Sequence, residues 1–368
     1  MMNTKSTAKI TLTTGLALFA MFFGAGNMVF PIAIGATAGQ HLFYAWLAFM
    51  IAGVGLPFMG VFAVSLFEGD YWNFFSILGK YGSFFVITFL ILIIGPIFAA
   101  PRTEDITFGT LQPFLSSEIT NYYFSIFYFA IIFALSYKHL FVVDIMGRFL
   151  SPLKLIAFIT LIIASLITAH ALLPTTVSAY HVASNALSVG YGTMDLLAAF
   201  FFCHVAYNSI AHKCTALGIT DKKALIRVIL KACGIGSLLI GLIYTGFMLS
   251  AAAHATALHN TPTANIISQL SHIVLGSYGS LFVCLCVTLA CIATATALAV
   301  VSTNFFHHTL FQNKLPRIIC LIIVLVIMYS MSILGFDFIM SIAVPILNWL
   351  YPALIVLCVI NIYRKFRA

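Results

Sequence analysis

The hydropathy pattern of the chain consists of long apolar stretches separated by short polar segments. A bilayer core of about 30 Å requires about 20 apolar residues in a helix that rises about 1.5 Å per residue. Windows of that length predict ten membrane spans and an all-α polytopic membrane protein. The predicted spans lie near residues 10–38, 42–67, 82–101, 121–137, 141–170, 191–211, 224–253, 278–306, 317–335 and 338–363.

The composition excludes a soluble globular protein. The chain is 62% hydrophobic and 7% charged, with a mean hydropathy of +1.11, whereas soluble domains are about 25% charged. The connections between the predicted spans are short. Residues 1–368 are therefore expected to form one membrane domain embedded in a lipid bilayer.

The basic residues predict how this domain is oriented. If the N-terminus is cytoplasmic, all of the 17 lysines and arginines except Arg102 fall on the cytoplasmic side, Lys154 included. This bias follows the positive-inside rule and places both termini in the cytoplasm. The excess basic charge then faces anionic lipid headgroups, so no nucleic acid is needed to explain it. Arg102, Glu104 and Asp105 are expected to form an ion-pair cluster on the outer surface.

The first apolar stretch is interrupted in its middle. The interruption is Gly24-Ala25-Gly26-Asn27, and each glycine costs a helix about 1 kcal/mol relative to alanine. Non-helical backbone is tolerated within a membrane only against protein or a water-filled cavity. The interruption therefore predicts a buried site where free amides and carbonyls meet a small polar ligand or an ion. Further along, Gly35 and Gly39 form a GxxxG pair, which is typical of close helix packing.

Ten spans divide into two halves of five, and an odd number of spans inverts the second half in the membrane. The halves would be repeats of about 9–170 and about 191–363, so the broken first span corresponds to the sixth. No glycine lies between Thr193 and Leu217, and a break in the sixth span is inferred from this pairing alone. Asp195, expected at the outer end of that span, is interpreted as a gate, as a partner for an ammonium group, or as a helix cap. His204 is interpreted as a protonatable coupling group or as a histidine bonded to a backbone carbonyl.

Five stretches of the sequence, taken in order, resemble one family of transporters. The first is TGLALFAMFFGAGNMVFPIAIGATAG at 14–39, which is similar to the first helix of the bacterial branched-chain amino acid:cation symporters, the system II or BrnQ carriers. The other four are GPIFAAPRT at 95–103, FLSPLKLI at 149–156, GYGTMD at 190–195 and SIAVPILNWLYP at 341–352. The resemblance implies a leucine-transporter-like fold of five-plus-five inverted repeats with discontinuous helices 1 and 6. It also implies a bacterial cytoplasmic (inner) membrane and leaves a gating role open for Arg102.

The resemblance also implies roles for the residues around the first break. The amides of Ala25 and Gly26 would bind the substrate carboxylate, where a helix N-terminus favours an anion. The carbonyls of Ala20 and Phe23, with the hydroxyl of Thr294, would bind the coupling cation. Oxygen ligands suit a hard ion, so sodium is favoured over a proton, and no other cofactor is expected. Asn27 can offer its carbonyl to an ion or its amide to the substrate.

An apolar pocket must then receive the substrate side chain. Phe200, Phe201 and Phe202 lie where the sixth helix faces the site, and helical spacing points at least one of them inward. Burial of a valine or leucine side chain contributes about 1.5–3 kcal/mol, which favours branched aliphatic substrates. Any one of these rings can equally face lipid or pack in the core, because the chain has 35 phenylalanines.

Two other classes of function are weighed against symport. A divalent-metal or other small-solute transporter or channel on the same fold has little support, because the first break lacks an aspartate and the sixth span lacks a methionine beside its histidine. A membrane enzyme has less, because no paired catalytic carboxylates, triad or phosphate-binding glycine loop is found. The chain also departs from the family at Ile32, where relatives have a second proline, and at Cys203, where they often have glycine. Relatives commonly carry two further helices, and the ten-helix core is expected to be complete without them.

Overall fold

The computed structural model describes residues 4–137, 151–169, 174–215 and 222–367, and within these ranges the chain is helical between short turns. We number the α-helices in chain order. They are α1 (Thr4–Phe22), α2 (Ala25–Ala38), α3 (Leu42–Met50), α4 (Leu56–Ser65), α5 (Tyr71–Phe75), α6 (Gly79–Leu92), α7 (Pro101–Leu111), α8 (Asn121–Tyr137), α9 (Ser151–Ile167), α10 (Ala179–Tyr191), α11 (Asp195–Thr215), α12 (Lys222–Ala253), α13 (Ala255–Leu258), α14 (Ile266–Phe305), α15 (Arg317–Ser332) and α16 (Phe336–Arg367).

These helices account for the ten predicted spans. Six segments of the described ranges are long and apolar enough to cross a membrane, and four shorter apolar helices accompany them. The first span consists of α1 and α2, the second of α3 and α4, the third of α6 and α7, and the sixth of α10 and α11. Residues 141–150 of the predicted fifth span lie outside the described ranges, and α9 forms the described part of that span.

The third and sixth spans extend further than predicted. A π-helical segment, Ile93–Ile97, joins α6 to α7, which continues the third span to Leu111 rather than ending it at 101. The sixth span begins at Ala179 rather than at 191. Both predictions were wrong because polar side chains inside these spans lowered the local hydropathy, although the structure buries those side chains against other helices.

The packing of the spans follows the symmetry of an inverted repeat. Both halves of the first span pack against α12 of the seventh span. In the same way, α10 of the sixth span packs against α3, and α11 packs against α4, both in the second span. Span 1 therefore packs against span 7, and span 6 packs against span 2. This is the pattern expected if spans 6 and 7 repeat spans 1 and 2. The protein therefore has the predicted leucine-transporter-like fold.

Glycine allows the closest approach within this frame. A Cβ on Gly35 of α2 would lie 2.3 Å from the Met248 carbonyl oxygen of α12, so only a hydrogen atom fits there. Gly39 plays a different part from the one predicted by the GxxxG pair. Its φ of 52° is a left-handed conformation that ends α2, and glycine adopts it without steric cost.

Candidate functional site

The two discontinuous spans meet at their breaks. In the first span, the helix stops at Phe22 and restarts at Ala25. In the sixth span, it stops at Tyr191 and restarts at Asp195, through Met194 with a φ of 63°. The side-chain amide of Asn27 donates to Asp195 Oδ2 at 2.6 Å, and both residues are buried in the first turns of their helices. The predicted break in the sixth span is therefore present, and it lies between α10 and α11.

This arrangement corrects the position of Asp195. It lies in the middle of the sixth span at the start of α11, not at the outer end, because the span begins at Ala179. A carboxylate at this position can accept hydrogen bonds and complements the positive end of the helix dipole. Asp195 therefore caps the dipole of α11 and also faces the break in the first span.

Tyr244 of the seventh span completes a three-residue cluster with Asn27 and Asp195. Its hydroxyl accepts a short hydrogen bond from the Asn27 amide and donates to Asp195 Oδ2 at 3.4 Å. The Asn27 side-chain carbonyl accepts the backbone N–H of Gly24 at 3.3 Å. Both ends of the Asn27 side chain are thus engaged within the protein, and they tie the first break to the sixth and seventh spans. No local sequence pattern indicated Tyr244, because the packing of spans 1 and 7 is a tertiary contact.

Arg102 lies at the sixth-span break, and its predicted position on the outer surface is wrong. Only 3% of it is exposed. Its guanidinium donates to the carbonyl oxygens of Gly192 and Thr193, the latter at 2.9 Å. It also lies over the ring of Phe30, with 5.4 Å between the guanidinium carbon and the ring centroid, and a Cβ on Gly26 would come within 2.9 Å of its Nη2.

The two acidic residues that follow Arg102 are buried as well. Glu104 is 0% exposed and Asp105 is 6% exposed, because α7 carries the third span through to Leu111. Glu104 lies beside Ser125 and Asp105 beside Asn121, both on α8. The predicted surface ion-pair cluster is therefore replaced by two buried carboxyl groups that lie beside different residues of α8.

Lys154 is a second basic residue that the structure places inside the bundle. It was counted toward the cytoplasmic surface, but it is 3% exposed and its Nζ lies 3.5 Å from the carbonyl oxygen of Phe23. On the other side of the break, a Cβ on Gly24 would lie 3.2 Å from Thr294 Oγ1. Phe23 and Thr294, two of the predicted cation ligands, thus flank the same break, and half-buried Ala20 lies one turn earlier in α1. A lysine within an apolar span was the sequence signal for Lys154.

The three phenylalanines predicted for the substrate pocket point to different neighbours. Phe202 packs edge-on against Phe22, the last residue of α1, with ring centroids 5.3 Å apart. Phe200 instead packs against the rings of Phe74 and Phe75 in the short helix α5, and Phe201 packs against Tyr71 of that helix. The structure therefore brings Phe202 to the first break and places the other two rings against α5.

His204 and Cys203 contact the second span and the turn after it. His204 Nδ1 lies 3.0 Å from the carbonyl oxygen of Gly69, and its Nε2 lies 3.1 Å from Asn208 Nδ2. This is the geometry of a histidine bonded to a backbone carbonyl. The Cys203 thiol donates to the Val61 carbonyl at 3.4 Å.

One small space adjoins this site. A cavity of about 20 Å³ lies beside Asp195 and is lined mainly by apolar residues, among them Leu18, Phe22 and Ile240. That volume suits a water molecule rather than an amino acid side chain. A larger cavity of about 320 Å³ is lined by Asp105 and Asp337. Among the described residues, no three His, Cys, Asp or Glu side chains form a group that could hold a metal ion.

Comparisons with known proteins agree on one family and one fold. The family model described as "Branched-chain amino acid transport protein" matches residues 7–368. The chain is 33% identical to the branched-chain amino acid permease BrnQ of Bacillus subtilis, over 95% of this chain and 80% of that protein. It is 31% identical to the branched-chain amino acid transport system 3 carrier protein of Pseudomonas aeruginosa, with the same two coverages.

Two solved structures share the fold at low sequence identity. MhsT in complex with L-phenylalanine has a TM-score of 0.64 and 18% identity, and the match covers 92% of this chain and 86% of MhsT. The inward-facing conformation of Mhp1 has a TM-score of 0.66 and 16% identity, and the match covers 95% of this chain and 75% of Mhp1. At these identities the similarities show the fold alone.

Proposed function

Since this chain belongs to the family of branched-chain amino acid transport proteins, we propose that it imports leucine, isoleucine and valine together with a cation, by alternating access. The observation that carries the proposal is the junction of the two helix breaks, where the Asp195 carboxylate and the Arg102 guanidinium lie beside the first turn of α2. A zwitterionic amino acid needs both charges and a neutral, apolar region for its side chain. The names of the relatives indicate that the side chain of the substrate is a branched one.

The carboxylate of the substrate is assigned to the start of α2. The amides of Ala25 and Gly26 belong to the first helical turn, so they have no carbonyl partner one turn earlier. Arg102 Nη2 lies directly over Gly26, and a guanidinium forms strong paired hydrogen bonds with carboxylates. We therefore place the carboxylate at these amides, within reach of the Arg102 guanidinium.

The ammonium group of the substrate is assigned to Asp195. This carboxylate is buried at the break and already accepts the Asn27 amide, and a carboxylate has about four lone-pair sites to share. The substrate side chain is assigned to the region of Phe22 and Phe202. One methylene changes the binding free energy by about 1–3 kcal/mol, so all three branched-chain amino acids are expected to be carried.

An inward cation gradient is proposed to drive the uptake. The membrane potential supplies about 2.3 kcal/mol per charge per 100 mV before any concentration gradient is added. The sequence favours sodium over a proton, bound by the carbonyls of Ala20 and Phe23 and the hydroxyl of Thr294. We further propose that the protein lies in a bacterial cytoplasmic membrane with both termini in the cytoplasm.

Uptake into proteoliposomes tests this function. The purified protein is reconstituted, and radiolabelled leucine uptake is measured with sodium and pH gradients imposed separately and together. We expect leucine to accumulate only when at least one inward cation gradient is imposed. We also expect unlabelled isoleucine and valine to inhibit this uptake. Uptake that persists after every gradient is collapsed would exclude symport, and cation currents without any amino acid would favour the alternative of an ion transporter on the same fold.

A further inference from the structure

We propose that the cavity of about 320 Å³ beside Asp105 and Asp337, the outer cavity, is a binding site for a short aliphatic diamine. It lies between the last turns of α7, the segment that leads into α14 and the first turn of α16. The Asn265 side-chain amide donates to Gln112 Oε1 at 2.8 Å and joins two of these walls. All three walls lie at the face opposite to the start of α1, which is the outer face in the proposed orientation.

The described walls of the outer cavity carry negative charge and no positive charge. Asp105 and Asp337 both line it, whereas no lysine, arginine or histidine of the described ranges does. Arg102, one turn before Asp105 on α7, is engaged with the carbonyl oxygens of the sixth-span break. A cation is therefore the occupant that these walls favour.

Asp105 is the wall residue that gains most from a cation. It is more than nine-tenths buried, and its Oδ2 accepts no hydrogen bond from the residues that the structure describes. Its described polar neighbours include Asn121 and Asp337, neither of which carries positive charge. A buried carboxylate without a partner is costly. An ammonium group that enters the outer cavity from the exposed side of Asp337 would supply that partner.

The size and the apolar walls of the outer cavity favour an organic cation. Its volume lies within the range of about 300–1,000 Å³ that is typical of small-molecule sites. Phe108, Leu334 and Phe336 provide surfaces for methylene groups, and aromatic ring faces also attract ammonium groups. Leucine fits poorly, because its carboxylate would find no positive partner there. Two carboxylates on different helices instead match an alkyl chain with an ammonium group at each end.

Direct binding tests this site without any transport. Binding of radiolabelled cadaverine, a five-carbon diamine, is measured on the purified full chain at one salt concentration, with leucine and pentylamine as competitors. We expect saturable binding that leucine does not displace and that pentylamine, with a single ammonium group, displaces about tenfold less well than unlabelled cadaverine. Absence of saturable binding, displacement by leucine, or equal displacement by pentylamine would each overturn the proposal.

Substitution of the two carboxylates sharpens the binding test. Asp105→Asn and Asp337→Asn each remove one charge at nearly constant size, and we expect each to weaken cadaverine binding about tenfold. Glu118→Gln removes an exposed carboxylate between α7 and α8 that does not line the outer cavity, and it is expected to leave binding unchanged. Wild-type binding by Asp337→Asn would overturn the proposal. Because Asp337 is exposed, this variant decides even if Asp105→Asn does not fold.

An occupied outer cavity is also expected to slow transport, a consequence that rests on the proposed function. Phe336, in its wall, has its ring centroid 6.1 Å from that of Phe30, and Phe30 lies under the Arg102 guanidinium. A diamine against Phe336 would therefore restrain α2 beside the substrate site.

Leucine uptake into proteoliposomes with and without external cadaverine measures this restraint. We expect the maximal rate to fall at least threefold while the apparent affinity for leucine stays the same. A change in apparent affinity alone would place the amine at the substrate site and overturn the proposal. If no leucine enters even without cadaverine, the proposed function is contradicted, whereas the binding measurement still decides whether the outer cavity holds a diamine.

Discussion

The two helix breaks each receive one buried basic side chain, but they receive it differently. At the sixth-span break, Arg102 donates to two carbonyl oxygens, those of Gly192 and Thr193. At the first-span break, Lys154 reaches one carbonyl oxygen, that of Phe23, at 3.5 Å. In both cases the cation neutralises the carbonyl end of a helix that stops in the middle of the protein.

The difference between the two side chains indicates which break is held more firmly. A guanidinium is a planar fork whose donors have fixed directions, so it fixes both carbonyls relative to the third span. An ammonium group on a flexible four-carbon stem, here with one hydrogen bond to the residues that the structure describes, can follow a moving partner. We therefore expect the sixth-span break to stay anchored to the third span while the first-span break rearranges during transport.

Loss of Arg102 is expected to have the largest effect of any single substitution at the breaks. Arg102→Ala leaves two buried carbonyls without their donor and removes the group assigned to the substrate carboxylate. Removal of one partner of a buried charge interaction costs about 3–5 kcal/mol, which corresponds to a loss of at least a hundredfold in leucine uptake. Uptake per folded transporter in proteoliposomes measures this.

Two variants show whether the fork geometry of Arg102 matters. Arg102→Lys keeps the charge but cannot reach both carbonyls with fixed donors, so we expect it to recover less than a tenth of the wild-type uptake. Arg364→Ala, which removes an arginine from an exposed position on α16, is the matched control and is expected to be silent. Wild-type uptake by Arg102→Lys would mean that the two breaks are held in the same way after all.

Asp195→Asn is expected to have the second-largest effect on transport. The asparagine can still accept the Asn27 amide, so the link between the breaks is largely kept, but the negative charge assigned to the substrate ammonium is lost. Hydrogen bonds to charged groups contribute about 1.5–3 kcal/mol, so we expect the apparent affinity for leucine to weaken about tenfold to a hundredfold. If the variant keeps its apparent affinity for leucine but loses maximal rate, Asp195 holds the two breaks together and does not bind the substrate.

Hydropathy predicted the span count and glycine predicted the break in the first span, because both are local signals, whereas the break in the sixth span was predicted only from the pairing of two five-span halves. The sequence misplaced Arg102 and Lys154, because the positive-inside rule counts basic residues near span ends as surface residues. It also grouped Phe200, Phe201 and Phe202, because spacing along one helix does not reveal that α5 covers two of the rings. Tyr244 had no signal of its own, since its role depends on two spans that lie far apart in sequence.

Gly26→Ala and Gly24→Ala compare the Arg102 side and the Thr294 side of the first-span break. A Cβ on Gly26 would lie 2.9 Å from Arg102 Nη2 and from the Phe30 ring, so alanine there must displace one of them. A Cβ on Gly24 would lie 3.1 Å from the Thr294 methyl group, a contact that a small shift relieves. We expect leucine uptake to fall about tenfold in Gly26→Ala, by loss of about 1.4 kcal/mol, and less than threefold in Gly24→Ala. The reverse order would place the tighter constraint on the side of Thr294.

Tyr244→Phe is expected to have a smaller effect than Gly26→Ala, because it removes one hydroxyl from a cluster that keeps its direct bond. Asn27 still donates to Asp195 when the hydroxyl that contacts both of them is lost. A buried hydrogen bond contributes about 1 kcal/mol, which corresponds to about a fivefold weaker apparent affinity for leucine. Thr245→Val, at the next residue of α12, removes the hydroxyl that accepts the Trp46 indole N–H and serves as the matched control. An effect of Tyr244→Phe as large as that of Asp195→Asn would mean that the seventh span, and not the direct contact between the first and sixth spans, holds the two breaks together.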